Sequence, residues 1–287
     1  MYLDIPTPKL TELMQATNFL HNGSIGDVWA SLPAMKAYNL KTGKKVNIYL
    51  VNGQKAIYYN GAVHPTVNEK GELVMLNAAA IEMMIPLLKA QPFVNEAKIW
   101  EDEPIHIDLN KIRETNVGMP NGCISRWYFY PFPDLACDLS KVWLTVPDSE
   151  EDFAKDKIII TRTERYLNIN INYSFLKKYE EEILFSGTDL EYAIFNARFK
   201  LNTKRLIIKD FLQLAQALKQ CKFHISNQTQ AFQISQGLKI PRIVELCVYA
   251  PNVIVVGENA YDFLAQEGLE YYVELLYNKK SPTKQAV

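Results

Sequence analysis

A carboxylate and a glycine stand together in a turn near the start of the chain. Ser24, Gly26 and Asp27 follow a short predicted strand at 18–21 and precede a segment whose apolar residues have helical spacing. A carboxylate at the start of a helix could remove a proton from a hydroxyl nucleophile if it faces a cleft. It could equally be an N-terminal Asp that only stabilises the helix dipole. Spacing alone leaves both interpretations open.

Two arginines follow another predicted strand, at residues 157–161. Thr161 ends that strand, and Arg162 and Arg165 lie three positions apart in the loop after it. Guanidinium groups at this spacing could hold a diphosphate through charge-assisted hydrogen bonds. The alternative is an ordinary loop salt bridge to Glu164, which lies between them.

A polar turn separates a strand from a helix within the stretch 222–246. Asn227, Gln228 and Thr229 fill this turn, where they could cap the helix or bind a phosphate at its N-terminus. Glu245 ends the next strand, so its carboxylate could accept hydrogen bonds from a ribose diol or simply lie on the surface. Gly187 belongs to a similar turn, after a strand predicted at 182–185.

These residues belong to a recurring order of strand, turn, helix and strand in both halves of the chain. Parallel sheets need this βαβ arrangement, and ligands bind at the carboxyl ends of their strands. We therefore predict an α/β protein with two domains, 1–152 and 153–287, divided at the acidic segment 149–152. Two further predicted elements are a strand at 253–256 and a closing helix at 261–277, which could pack back on the N-terminal domain.

Composition limits the classes of partner. Of 287 residues, 48% are hydrophobic and 22% are charged, which is typical of a globular protein. A formal net charge of −1 gives no electrostatic basis for binding nucleic acid or an anionic membrane. No apolar window is long enough to span a bilayer, and the start of the chain lacks a signal-peptide pattern. We therefore expect a cytoplasmic protein, with a peripheral position at the inner membrane face as a second option.

Metal and cofactor motifs are missing from the sequence. The four cysteines show no C-x-x-C spacing, which indicates reduced thiols, and the histidines show no metal or triad spacing. There is no Walker loop, G-x-G-x-x-G, GxSxG or HExxH. We therefore expect neither a metal nor a bound cofactor.

Two segments resemble the motifs of one enzyme family. Ser24-Ile25-Gly26-Asp27, followed by Leu32-Pro33-Ala34, is similar to the S-x-G-D-x-x-x-x-L-P-A motif of the ADP-heptose–lipopolysaccharide heptosyltransferases, which are GT-B glycosyltransferases. The D-T-G-x-x-H donor motif of that family falls on Gln228, Thr229, Gln230 and Gln233. Of these four residues only Thr229 matches.

The resemblance implies a GT-B fold, in which two Rossmann-like domains with parallel sheets face each other across a cleft. It implies an inverting, metal-independent transfer of a sugar from a nucleotide-diphosphate donor, which is a substrate and not a cofactor, to a hydroxyl of a saccharide or glycolipid. Asp27 would be the general base. The residues expected at the donor and its phosphates are Ser24, Gly26, Thr161, Arg162, Arg165, Gly187, Asn227, Gln228, Thr229, Gln233 and Glu245.

Two alternatives stay open at the level of sequence. A GT-B-shaped protein that binds a nucleotide or sugar but has lost transfer would explain the altered donor motif. A nucleotide-sugar epimerase on the same fold would need further acid and base groups, which the sequence does not locate.

Overall fold

The first half of the chain contains a four-stranded sheet. The computed structural model describes residues 16–56, 66–116 and 122–279. In the first half the strands are β1 (Ala16–His21), β2 (Lys45–Leu50), β3 (Val94–Ile99) and β4 (Ile107–Asp108), and the helices are α1 (Ile25–Thr42), α2 (Ala78–Lys89) and the short α3 (Ile124–Trp127). The strands lie in the order β3-β2-β1-β4, and every pair is parallel.

The second half contains a six-stranded sheet. Its strands are β5 (Ile158–Thr161), β6 (Ile183–Phe185), β7 (Lys204–Arg205), β8 (Phe223–Asn227), β9 (Arg242–Glu245) and β10 (Ala260–Phe263), and its helices are α4 (Asp189–Phe199), α5 (Phe211–Gln220), α6 (Gln230–Leu238) and α7 (Gln266–Asn278). The order is β10-β9-β8-β5-β6-β7 with all pairs parallel. The chain therefore winds outward twice, and its direction reverses between β5 and β8. The predicted α/β class with parallel sheets is confirmed.

Three short 3-10 helices connect these elements, at Leu109–Glu114, Pro133–Leu135 and Tyr173–Glu182. The last of them occupies a segment where the sequence favours an α-helix. Asn172 begins it by accepting a hydrogen bond from the backbone N–H of Ser174 at 2.9 Å.

The stretch 222–246 folds as predicted, and its turn begins a helix. All five residues of β8 are buried, so the strand is covered on both faces. Thr229 is the N-cap of α6, and its hydroxyl accepts from the backbone N–H of Phe232 at 3.4 Å. The helix ends at Lys239, whose φ of +59° is left-handed. The first N–H groups of α6 therefore point toward the carboxyl edge of the sheet.

Near the C-terminus one predicted element is wrong and another begins later than predicted. Residues 253–256 form no strand, because side chains take their carbonyls: Gln236 donates to Ile254 and Arg242 donates to Val256. The predicted helix at 261–277 begins only at Gln266, because its first residues form β10 beside β9. Helix α7 packs on β9 and β10, and its predicted packing on the first half stays a prediction.

The two halves share one hydrophobic core. Helix α1 packs against α6, and α2 packs against α5. Trp29 of α1 meets Phe211 of α5 edge to face, with ring centroids 5.7 Å apart. A second core lies on the other face of the larger sheet, under α4 and α7.

The boundary predicted after residue 152 stays a prediction. It lies between β4 and β5, in a segment that contacts both halves. The Thr145 N–H donates to Gln91 at 2.9 Å, whereas the Trp143 N–H donates to the carbonyl of Gly237 at 3.0 Å.

Candidate functional site

A cavity of about 340 Å³ lies at the carboxyl edge of the larger sheet, next to the reversal point between β5 and β8. Ligands of open parallel sheets bind in this position. Its polar lining residues are Ser24, Thr66, Thr161, Thr163, Arg165, Ser186, Thr188, Glu191, Arg205, Thr229 and Gln230. Its apolar lining includes Ile25, Met83, Leu206, Ile207, Ile208 and Phe211. Both halves therefore contribute to it.

Four helices begin at this cavity. Residues of the first turn or the N-cap of α1, α4, α5 and α6 line it, and these helices have 18, 11, 10 and 9 residues. Each N-terminus presents unpaired backbone N–H groups and the positive end of a helix dipole. Arg165 and Arg205 also line the cavity, and each carries a positively charged guanidinium group. This arrangement suits an anion with several oxygens, such as a diphosphate.

Asp27 lies one residue beyond this lining, in the first turn of α1. Its Oδ2 accepts from the backbone N–H of Ser24 at 2.9 Å and from Arg113 Nη2 at 3.3 Å. Its side chain is 18% exposed. Ser24 and Gly26 line the cavity, so the carboxylate stands beside the cavity without facing it directly.

A buried network supports the backbone around Asp27. His21 Nδ1 accepts from the Gly23 N–H at 2.9 Å, so its proton lies on Nε2, which is 2.8 Å from the Tyr128 hydroxyl. That hydroxyl donates to the carbonyl of Asp27 at 3.0 Å. Burial lowers the pKa of His21 to about 4, so the ring is neutral at physiological pH. His21 therefore has a structural role here, because it connects the Gly23 N–H to the Tyr128 hydroxyl.

Arg162 and Glu245 do not reach the cavity. They form a buried ion pair, with Nε–Oε2 and Nη2–Oε1 distances of 2.7 and 3.0 Å. Glu245 also accepts from the Asn168 N–H and from the Tyr173 hydroxyl. Both charges are neutralised inside the protein, which gives the pair a structural role, and its predicted phosphate and ribose contacts stay predictions.

The polar turn after β8 is also largely committed to the protein. Asn227 donates to the carbonyls of Thr163 and Arg165 at 3.0 and 2.6 Å and thereby fixes the loop that carries Arg165. Gln228 donates to the carbonyl of Ala250 and accepts from the Cys247 N–H. Gln233 is buried within α6 and lies outside the cavity lining. Asn227 and Gln228 therefore hold loops in position, and none of the three residues belongs to the cavity lining.

Six of the predicted residues are brought together at the cavity: Ser24, Gly26, Thr161, Arg165, Gly187 and Thr229. The Thr161 hydroxyl is 2.8 Å from His224 Nε2 and 3.5 Å from the Thr229 hydroxyl, so the ends of β5 and β8 are linked directly. Burial, with Arg242 nearby, lowers the pKa of His224 to about 3.

Several lining residues were not predicted. Ser186 and Thr188 flank Gly187 in the turn after β6, and Thr188 caps α4 by accepting from the Glu191 N–H at 3.2 Å. Arg205 ends β7, where it pairs with Asp189 and donates to the carbonyl of Gly187 at 3.3 Å. The sequence signal for β7 was weak because the two isoleucines that suggest a strand, at 207–208, follow it. A strand predicted at 204–205 would have brought Arg205 to the same edge.

Neither a metal cluster nor a membrane helix occurs in the described part of the chain. Within residues 16–56, 66–116 and 122–279, no three His, Cys, Asp or Glu side chains come together as metal ligands. Over the same ranges no helix is long and apolar enough to cross a bilayer.

Comparison with protein-family models and with curated proteins finds no match. Solved structures, in contrast, superimpose on almost the whole chain. An E. coli heptosyltransferase solved with ADP has a TM-score of 0.58 and 11% identity, over 91% of this chain and 99% of that one. A glycosyl transferase family 9 protein from Veillonella parvula has a TM-score of 0.55 and 11% identity, over 93% and 90%. The chain has the GT-B fold.

A third similar structure is E. coli ADP-heptose lipopolysaccharide heptosyltransferase II. Its TM-score is 0.54 with 10% identity, over 92% of this chain and 98% of that one. At such identities the likeness shows the GT-B fold alone. In that fold, the cavity described above lies between the two parallel-sheet halves.

Proposed function

We propose that the protein is a glycosyltransferase that moves a sugar from a nucleotide-diphosphate donor to a hydroxyl acceptor. The observation that carries the proposal is the convergence of the N-termini of α4, α5 and α6 and two arginines on one cavity, which the first turn of α1 beside Asp27 also lines. The GT-B fold, shared with a heptosyltransferase solved with ADP, supports a nucleotide donor.

The second half would bind the donor. Arg165 and Arg205, together with the N–H groups that begin α4 and α6, would hold the diphosphate oxygens. The apolar wall at residues 206–208 would cover the nucleoside. Positive charge from these groups would stabilise the diphosphate as it leaves, so the reaction needs no metal for that purpose.

Asp27 would be the general base on the acceptor side. Ser24 and Arg113 hold its Oδ2, which leaves Oδ1 to accept the proton of the acceptor hydroxyl. The acceptor oxygen would bond to the anomeric carbon while the bond from that carbon to the diphosphate oxygen breaks. The nucleoside diphosphate would leave with the bonding electron pair, and this single displacement would invert the anomeric centre.

Calorimetry with a panel of nucleoside diphosphates tests the donor site. We expect selective binding near −8 kcal/mol, which corresponds to about micromolar affinity. Arg165→Ala should weaken it, whereas Arg198→Ala should not, because Arg198 pairs with Glu164 outside the cavity lining. If no nucleoside diphosphate binds to the wild type, the proposal is wrong.

Release of free nucleoside diphosphate, measured with a set of saccharide acceptors, tests the base. Asp27→Asn should keep donor binding and lower the transfer rate by about 10²- to 10⁴-fold. Asp134→Asn is the matched control, because Asp134 pairs with Lys41 on the surface. Equal rates in Asp27→Asn and the wild type would remove Asp27 from the mechanism.

A second candidate is a nucleotide-sugar binding protein without transfer. The pairing of Arg162, Gln228 and Glu245 inside the protein favours it, because these side chains, predicted to bind the donor, already have partners. Such a protein would bind a nucleotide sugar and return it intact with every acceptor. Any acceptor-dependent release of diphosphate would exclude it.

A further inference from the structure

Gln230 occupies the place where the two halves approach each other at the cavity. It is the first residue of α6 and lines the cavity next to the N-cap Thr229. A Cβ added to Gly26 would lie 3.7 Å from the Cα and 3.9 Å from the Cβ of Gln230. Gln230 therefore lies at the N-terminus of α6, next to the first turn of α1, which carries Asp27.

The side-chain oxygen of Gln230 is buried and accepts no hydrogen bond from the described residues. Buried side-chain oxygens normally have a partner, and leaving one unpaired is unfavourable. Two other glutamines of this region are paired. Gln228 accepts from the Cys247 N–H, and Gln236 accepts from Arg242. The unpaired oxygen of Gln230 therefore indicates a partner from outside the described residues.

The chemistry of an amide oxygen restricts that partner. It can only accept a hydrogen bond, and ionised phosphate oxygens are acceptors as well, so the two cannot pair. A sugar hydroxyl can donate to the amide oxygen and accept from the amide NH₂. Gln230 lines the cavity, and the terminal torsion of a glutamine is broad, so the amide can turn toward a ligand.

The position favours the same partner. In the proposed transfer, the sugar lies between the diphosphate at the start of α6 and the base on α1, and Gln230 lies between these two helix ends. We propose that Gln230 determines specificity for the sugar moiety of the donor by hydrogen-bonding one of its hydroxyl groups. This inference rests on the proposed function.

The test compares each nucleoside diphosphate with its hexose derivative, for example UDP with UDP-glucose and ADP with ADP-glucose. Calorimetry gives the ratio of the two dissociation constants for the wild type, for Gln230→Met and for the control Gln216→Met. Met nearly preserves the length of Gln and removes both polar atoms. Gln216 lies on α5 outside the cavity lining. Melting temperatures confirm that each variant is folded.

In the wild type we expect tighter binding of one nucleotide sugar than of its nucleoside diphosphate. Gln230→Met should reduce this preference about five- to tenfold, while affinity for the nucleoside diphosphate changes less than about twofold. Gln216→Met should leave both constants unchanged. Equal losses for both ligands would place Gln230 at the diphosphate and overturn the inference.

Two other outcomes separate the inference from the function on which it rests. A wild type that binds a nucleoside diphosphate but never prefers the sugar derivative, or a preference that Gln230→Met leaves intact, overturns the inference alone. A wild type that binds no nucleotide overturns both the inference and the proposed function.

Discussion

Glu245 accepts four hydrogen bonds inside the second half of the protein. Two come from Arg162, one from the Asn168 N–H and one from the Tyr173 hydroxyl. The Arg162 and Glu245 side chains are only 3% and 0% exposed. The Glu245 carboxylate at the end of β9 therefore connects this strand to Arg162, which follows β5, and to Asn168 and Tyr173. The ion pair also keeps the Arg162 guanidinium away from the cavity.

Removing one charge of this pair should be strongly destabilising. Glu245→Gln leaves the Arg162 guanidinium buried without a counter-charge, and we expect the free energy of unfolding to fall by about 3–5 kcal/mol. Urea denaturation at neutral pH measures the change. The double variant Arg162→Met, Glu245→Gln should recover part of the loss, because no charge then remains buried.

The surface pair Lys41–Asp134 is the control. Its side chains are 56% and 85% exposed, so Asp134→Asn should change the free energy of unfolding by less than about 1 kcal/mol. A comparable small effect for Glu245→Gln would show that the buried pair is hydrated.

His21 and His224 should make stability depend on pH. Burial lowers their pKa values to about 4 and about 3, from 6.5 in the unfolded chain. The unfolded state therefore binds protons first as pH falls, and stability is lost below about pH 6.5. At about pH 5 each histidine should cost about 2 kcal/mol relative to pH 7.5, in a window above the ordinary carboxylate range.

Urea denaturation from about pH 8.5 to pH 5 tests this pH dependence. His224→Gln keeps a nitrogen for the Thr161 hydroxyl and should remove about half of the decrease between pH 7.5 and 5. Neither histidine contributes a slope above about pH 7.5. A decrease of equal size in the wild type and the variant would contradict the prediction for His224.

At the scale of elements, helix α6 owes its packing against residues 143–144 to a glycine. A Cβ on Gly237 of α6 would lie 2.7 Å from Leu144 Cδ1 and 2.8 Å from Trp143 Nε1. The carbonyl of Gly237 also accepts from the N–H groups of both residues. The segment that joins the halves can therefore lie against α6 only where a side chain is missing. At Gly26 of α1, in contrast, the nearest atom would be 3.7 Å away.

These two helix glycines should respond differently to alanine. Gly237→Ala should destabilise the protein by about 1–3 kcal/mol through overpacking, although alanine favours a helix. Gly26→Ala introduces an ordinary contact and should leave the free energy of unfolding unchanged or raise it by up to about 1 kcal/mol. Chemical denaturation of both variants in parallel gives the comparison. Equal stabilisation of both would show that the joining segment moves freely.

At the scale of the whole molecule, the continuous core between α1, α2, α5 and α6 couples the two halves. We predict that they unfold in one transition, with calorimetric and van't Hoff enthalpies in a ratio near one. Trp29→Ala, which removes the contact with Phe211, should lower the temperature of that single transition.

Phe195→Ala provides the comparison, because Phe195 lies in the core that belongs to the second half alone. If the halves are coupled, this variant also lowers the one transition without splitting it. Two resolved transitions in the wild type, or a second transition that only Phe195→Ala moves, would show that the halves unfold independently.

Local patterns in the sequence determined most elements of this protein. Examples are the buried run at the start of β8, the polar residues after it and the helical spacing in α6. Each of these depends on residues a few positions apart, so it can be predicted from the sequence alone. The wrong prediction of a strand at 253–256 also came from a local pattern. Residues 253–256 have the composition of a strand, but Gln236 and Arg242 take their carbonyls.

Only the tertiary structure decided which side chains face the cavity. Arg162 and Arg165 look alike in the sequence, but Arg162 has a carboxylate 83 positions away that becomes its neighbour in the folded sheet. Arg205 enters the cavity lining because β7 pairs with β6. A buried charge must have a partner, and the order of the strands selects it. That order depends on packing across the whole chain, which spacing along the sequence does not record.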